Sequence, residues 1–144
     1  MRVDFYQLSD EGAPATAALL ARKVREGDAR LLVVGTEPVL QDVSKSLWES
    51  APEHYLANGM AGGTHDARQP ILLSESVEAA NGAAFLLIAD GRWRDPGQGF
   101  ERVFYLFDDA TIAEARATWK ALGESDAGER HFWKRANGRW VEGP

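Results

Sequence analysis

The 144-residue chain contains no cysteine, only two methionines and only three histidines. Each scarcity removes a class of chemistry. Without cysteine there are no disulfides, no zinc–thiolate sites and no thiol nucleophile. His54, His65 and His131 form no i, i+4 pair and no HExxH, so no metal site is recognisable and no cofactor is implied. No apolar run approaches the ~18 residues of a membrane-spanning helix, and the N-terminus lacks a charged region followed by an apolar core. The expectation is a cytoplasmic protein with no membrane partner. A phosphate loop is also missing: Gly59, Gly62 and Gly63 follow no strong apolar strand, have no Lys-Ser or Lys-Thr behind them and open no helix. No GxSxG occurs, and Ser44, Ser46, Ser50, Ser74 and Ser76 have no triad context.

Positive charge is scarce overall but not evenly so. The net charge of −6 argues against the whole domain being a nucleic-acid binder. Residues 1–115 hold 10 basic and 18 acidic side chains, whereas residues 116–140 hold 6 basic and 3 acidic. One end of an acidic protein is locally basic, which suits a small acidic partner better than a duplex.

What the chain does contain is the composition of a globular protein, at a length suited to one domain over residues 1–144. Val3 to Leu8 reads as a first strand. Pro14 suits the N1 position of a helix whose apolar face is Leu19, Leu20 and Val24, with Gly27 as its stop. Arg30 to Val34 reads as a buried strand, followed by a helix opened by Pro38 and carrying Val39, Leu40, Val43, Leu47 and Trp48. This β-α-β-α start predicts a largely parallel sheet with helices packed on it. Ala51 to Asp66, with Pro52 and its glycines, reads as irregular. Ile71 to Leu73 and Ala83 to Ala89 read as further strands, and Val103 to Phe107 as a buried one. A helix follows, with Thr111 and Glu114 at capping-box spacing, Asp109 as a competing N-cap and Gly123 as its end. Asn137-Gly138, between Phe132-Trp133 and Trp140-Val141, predicts a hairpin.

Three places could carry chemistry. Open parallel sheets bind ligands beyond their strand C-termini, which draws attention to Asp90 after FLLIA and to Asp108 and Asp109 after VFYLF. One reading is a magnesium-dependent nucleotide or phosphate hydrolase using Asp90 and Asp108. The other is that these acids cap a helix and begin a turn. Trp133 and Trp140, beside Lys134, Arg135 and Arg139, could stack single-stranded bases or pack on the core. On the helix after Asp109, Ile112, Ala115, Trp119 and Leu122 share one face at 100° per residue, with Arg116 and Lys120 together on its rim. That rim is either ordinary amphipathic design or an anion-binding pocket, and spacing alone leaves both open.

The order of several short motifs resembles one family. Phe5-Tyr6-x-Leu8, Leu47-Trp48, Gln69-Pro70-Ile71-Leu72-Leu73, Phe100-Glu101-Arg102-Val103, Arg116-x-x-Trp119-Lys120 and Phe132-Trp133-Lys134 together resemble the chi subunit of bacterial DNA polymerase III holoenzyme. The chain departs from it at Ala57-Asn58, where the family often has Pro-His, and at Ile112, where some members carry a further basic residue. The resemblance implies a three-layer α/β/α fold with a mostly parallel central sheet and nucleotide-binding-like topology, but no nucleotide site. It implies a non-enzymatic subunit that ties the clamp loader to single-stranded-DNA-binding protein by holding that protein's acidic C-terminal tail. A psi subunit would be the second partner, and contact with DNA would be only indirect. The implied tail-binding residues are Arg116, Trp119, Lys120 and Ile112, with Ile112 in place of a cation implying a weaker or rearranged basic clamp.

Overall fold

In the computed structural model, residues 1–50, 56–125 and 128–143 are described. Pro52, His54 and Asp126 lie outside the described residues.

The apolar runs become the interior strands of an eight-stranded sheet. Its strands are β1 (Arg2–Gln7), β2 (Leu31–Val34), β3 (Asn58–Met60), β4 (Ile71–Ser74), β5 (Phe85–Ile88), β6 (Arg102–Phe107), β7 (Glu129–Ala136) and β8 (Arg139–Glu142). The helices are α1 (Ala13–Glu26), α2 (Glu37–Trp48) and α3 (Ile112–Ser125). The strand order is β3-β4-β2-β5-β6-β1-β7-β8, and every pairing is parallel except β7 with β8. Parallel strands covered on both faces need apolar residues at every position, which is why β2 and the interior of β6 read as continuous hydrophobic runs.

Two buried clusters define the layers. On one face, Leu20, Ala21 and Val24 of α1 and Leu40, Val43 and Leu47 of α2 pack on Leu31, Val33, Leu73, Leu87 and Phe104. On the other, Ala115 of α3, with Ile112, Trp119 and Leu122 beside it, packs on Phe5, Val103, Tyr105 and Phe107. The expected three-layer α/β arrangement with a mostly parallel sheet is therefore found. Alternation along β1 sends Val3 and Phe5 to the α3 face and Asp4 and Tyr6 to the α1 face.

Most element boundaries match the reading from sequence within two residues; four local expectations fail, three of them here and the α3 capping box below. Residues 58–60 form an edge strand inside the stretch read as irregular. Asn-Gly-Met has no strand pattern, yet Asn58 is buried, accepting a bond from Ser44 Oγ at 2.6 Å and donating one to the Leu56 carbonyl at 3.0 Å. The proline of each early helix sits at the second position, Pro14 after Ala13 and Pro38 after Glu37, where the backbone N–H equally has no intrahelical acceptor. Gly123 does not end α3; the helix runs through it to Ser125.

The hairpin forms as expected. Asn137 and Gly138 both take positive φ, 52° and 76°, the geometry that two-residue turns require and that this residue pair tolerates. It lets β8 return antiparallel to β7, which is itself zipped parallel to β1. That pairing brings the C-terminal aromatics against the N-terminal strand.

Candidate functional site

Helix α3 begins from a tight acidic turn. The Thr111 hydroxyl donates to Asp108 Oδ1 at 3.1 Å and accepts from the Asp108 N–H at 3.0 Å, while Asp108 Oδ1 also accepts from the Thr111 N–H. The Thr111 carbonyl takes the first helical bond, from Ala115. The anticipated capping box does not form, because both partners are engaged elsewhere. Glu114 reaches out of the helix to accept the Trp93 N–H at 2.5 Å and to pair with Arg92 at 3.6 Å.

The apolar face of α3 does not seal completely onto the sheet. A cavity of about 330 Å³ is left, lined by Phe5 and Gln7 from β1, Phe107 from β6, Phe132 from β7, and Ile112, Ala115, Arg116 and Trp119 from α3. Trp119 stands edge-on to Phe5, with ring centroids 5.1 Å apart and planes at 75°. Three of the four anticipated residues, Ile112, Arg116 and Trp119, thus meet in one cavity. Lys120 is exposed on the same helix and does not line it. Arg116 is exposed at the cavity and, among the described residues, has no hydrogen bond or ion pair. The cavity sets an aromatic slot beside an unneutralised guanidinium, with no carboxylate or imidazole in the lining.

Two further residues belong to this arrangement. Gln7, one strand step along from Phe5 on the same face, places an amide in the lining. Arg130 backs Trp119: its guanidinium carbon lies 4.4 Å from the indole centroid and its Nη1 donates to the Trp119 carbonyl at 2.7 Å. Gly123 makes that possible, since a Cβ there would sit 2.6 Å from Arg130 Nη1. A glycine inside a strong helical pattern is the sequence signal for such a close approach. Reading Gly123 as a helix stop conceals it.

The carboxylates considered for catalysis are otherwise engaged. Asp90 and Asp108 both line a smaller hollow of about 210 Å³ at the C-terminal ends of β5 and β6. Asp90 is held by two bonds from Arg94, at 2.7 and 2.9 Å, and by the Arg92 N–H. Burial pushes its pKa up, but the Arg94 fork and the backbone donors Arg92 and Thr36 more than offset this and hold it below the usual carboxylate range. Asp108 is folded into the Thr111 turn. Among the described residues no group of three or more His, Asp or Glu side chains could hold a metal ion. The glycine cluster is likewise closed on itself, the Gly62 and Gly63 N–H groups donating to the Asp66 carboxylate.

Trp133 and Trp140 pack inward, not out toward solvent. Trp133 lies parallel to Tyr6, with centroids 6.0 Å apart, and Trp140 meets Tyr6 edge-on at 5.1 Å. The Trp133 indole N–H donates to Asp4 at 2.9 Å. No helix among the described residues is long and apolar enough to cross a membrane.

No curated protein matches the chain. A family model does: that of the DNA polymerase III chi subunit, HolC, aligns with residues 1–128. The match spans β1 through α3, including Ile112, Arg116, Trp119 and Lys120, and stops one residue short of β7, which supplies Phe132 and Arg130. With all but 16 of its residues inside that match, the chain belongs to the DNA polymerase III chi subunit family.

Proposed function

We propose that this chain is a non-catalytic accessory subunit that links the clamp loader to single-stranded-DNA-binding protein, and that the α3 cavity holds the partner's acidic C-terminal tail. The observation that carries this reading is an unpaired arginine, Arg116, at the edge of an aromatic cavity in an otherwise acidic protein. Such a tail is a short disordered peptide ending in Pro-Phe and a free carboxylate. Recognising it needs a slot for the ring, a cation for the carboxylate and diffuse positive charge for the upstream aspartates. Phe5, Phe107, Ile112 and Trp119 supply the first, Arg116 the second, and Lys120 the third from outside the slot. A guanidinium can grip a carboxylate with two bonds where an ammonium cannot, so the end group falls to Arg116.

The magnitudes are compatible with reversible docking. Burying a phenylalanine ring stabilises by roughly 1.5–3 kcal/mol, and each charge-assisted bond adds about 1.5–3 before ordering costs. Micromolar binding corresponds to about −8 kcal/mol. A psi subunit is the second partner in this reading, DNA is met only indirectly, and the cytoplasm is where both occur.

The test is titration of a labelled acidic peptide ending in Pro-Phe against the wild-type chain and Arg116→Ala, with folding of the variant checked by circular dichroism. Arg116→Ala is expected to weaken binding at least about tenfold, the equivalent of one charge-assisted bond. Equal affinity for the folded variant sinks the assignment of Arg116.

A further inference from the structure

A second hollow, of about 320 Å³, lies on the other face of the sheet, between α1 and the strands β1, β6, β7 and β8. We propose that it binds a small anion carrying a planar ring, with Arg102 and Lys23 taking the anionic group and the aromatic wall of Tyr6, Trp133 and Trp140 taking the ring. This does not rest on the tail-binding reading, which concerns the opposite face.

The hollow is built on a buried carboxylate. The Asp4 side chain is fully buried and accepts from Arg102 Nε at 2.7 Å, from the Trp133 indole at 2.9 Å and from Arg2 at 3.0–3.2 Å. Arg2 meets both Asp4 oxygens, through Nε and Nη2. Arg102 is different. Asp4 takes only its Nε, and its guanidinium is fixed 4.7 Å from the Phe104 ring centroid, with the Tyr6 hydroxyl as its other polar neighbour. No second carboxylate meets it among the described residues. Fixing a guanidinium by one edge presents its remaining donors as a preoriented fork. Lys23 lines the same hollow from α1 and has no ion pair among the described residues.

An accidental gap between a helix and a twisted sheet would be apolar. It would not collect Lys23, which has no ion pair among the described residues, beside Arg102, which meets its one carboxylate, Asp4, through Nε alone. The wall is also short of acceptors: the Trp140 indole N–H is shut off from water with no partner. Tyr6 cannot contribute negative charge, because burial pushes its hydroxyl up to about 12. The volume falls at the lower end of the range for small-molecule sites, roughly 300 Å³ upward. Whether the anion is a phosphate or a carboxylate is not distinguished by these donors, so the ligand class is the ring-bearing anion.

The experiment is an amide and indole NMR titration of the full chain with adenosine monophosphate, indole-3-acetate, adenosine and inorganic phosphate as separate probes. At least one of the two ring-bearing anions is expected to shift the Trp140 indole resonance, assigned with Trp140→Phe, and the amides of Lys23 and Arg102. Adenosine and phosphate alone should bind at least about tenfold more weakly, since each keeps only one of the two contacts. Lys23→Glu, on the helix surface, should weaken the ring-bearing anion by at least about fivefold, and Lys23→Ala by less. Binding by the phosphate probe assigns a nucleotide-like ligand and binding by the carboxylate probe a ring carboxylate. If neither ring-bearing anion shifts these resonances, or if the folded Lys23→Glu chain binds as tightly as wild type, the proposal is wrong.

Discussion

Replacing Asp4 with asparagine is the most informative single change to the fold, because one buried carboxylate ties three strands together. Asp4 of β1 collects bonds from Arg102 of β6 and Trp133 of β7 as well as from Arg2. Burial pushes its pKa up, yet the hydrogen bonds from Arg102, Arg2 and Trp133 outweigh burial and hold it below its ordinary value. Asparagine preserves the shape but removes the charge and turns an N–H2 toward cations. Breaking a buried pair by removing one partner costs about 3–5 kcal/mol. Here the two arginines are 36% and 30% exposed and can return to water, which brings the cost to the bottom of that range or just below it, about 2–3 kcal/mol. For a domain of this size that lowers Tm by roughly 5–10 °C. Calorimetry at pH 7 reads the shift directly. A carboxylate with a depressed folded pKa contributes stability that is complete above its unfolded value and lost as pH falls through the folded one. The wild-type and variant curves must therefore converge in acid. A Tm change under about 1 °C at pH 7, or a gap that widens toward pH 2, refutes the role given to Asp4.

Two further outcomes follow from the same geometry. Arg130→Met removes the bond to the Trp119 carbonyl and a cation–π contact worth about 0.5–1 kcal/mol at exposed sites, so tail-peptide affinity should fall about threefold or more; unchanged affinity means Trp119 needs no backing. His131 bonds Glu142 at 2.7 Å and Glu129 at 3.1 Å, and these two hydrogen bonds, Glu142 first, raise its pKa. Its contribution to holding the hairpin is full below the ordinary histidine value, about 6.5, and is lost as pH rises through the folded value. Glu129, lowered by the same contact, sets the acid limit of that window. Ring-proton NMR should place the His131 midpoint above about 6.5 and lower it in Glu142→Gln; a wild-type midpoint at or below the ordinary value overturns this.

Where burial alone selects residue type, the sequence is readable. Strands β2, β5 and β6 are apolar runs because both their faces are covered. The face of α3 carrying Ile112, Ala115, Trp119 and Leu122 follows from helical period, and Asn137-Gly138 announces its turn because few residue pairs tolerate two positive φ angles. Where a residue answers to a distant partner, local pattern misleads. Glu114 has capping-box spacing but serves the Trp93 N–H, 21 residues away. Gly123 has the look of a helix end but is the space into which Arg130 fits. The Asn58–Met60 strand has no hydrophobic signature, since an edge strand is defined by backbone pairing with β4.

The sequence by itself determined most of the strands and helices, β3 excepted, and which side of α3 faces inward, since those depend on dihedral preference and on a period set within one element. Only the tertiary structure decided that Phe5, Phe107, Phe132 and Trp119 close around one cavity with Arg116 at its edge, and that Lys120 stands outside it. It also decided that Asp4, Arg102 and Trp133 meet across three strands. Those residues lie up to 129 positions apart in the chain. Their meeting is set by strand order and parallel register, which no local periodicity encodes.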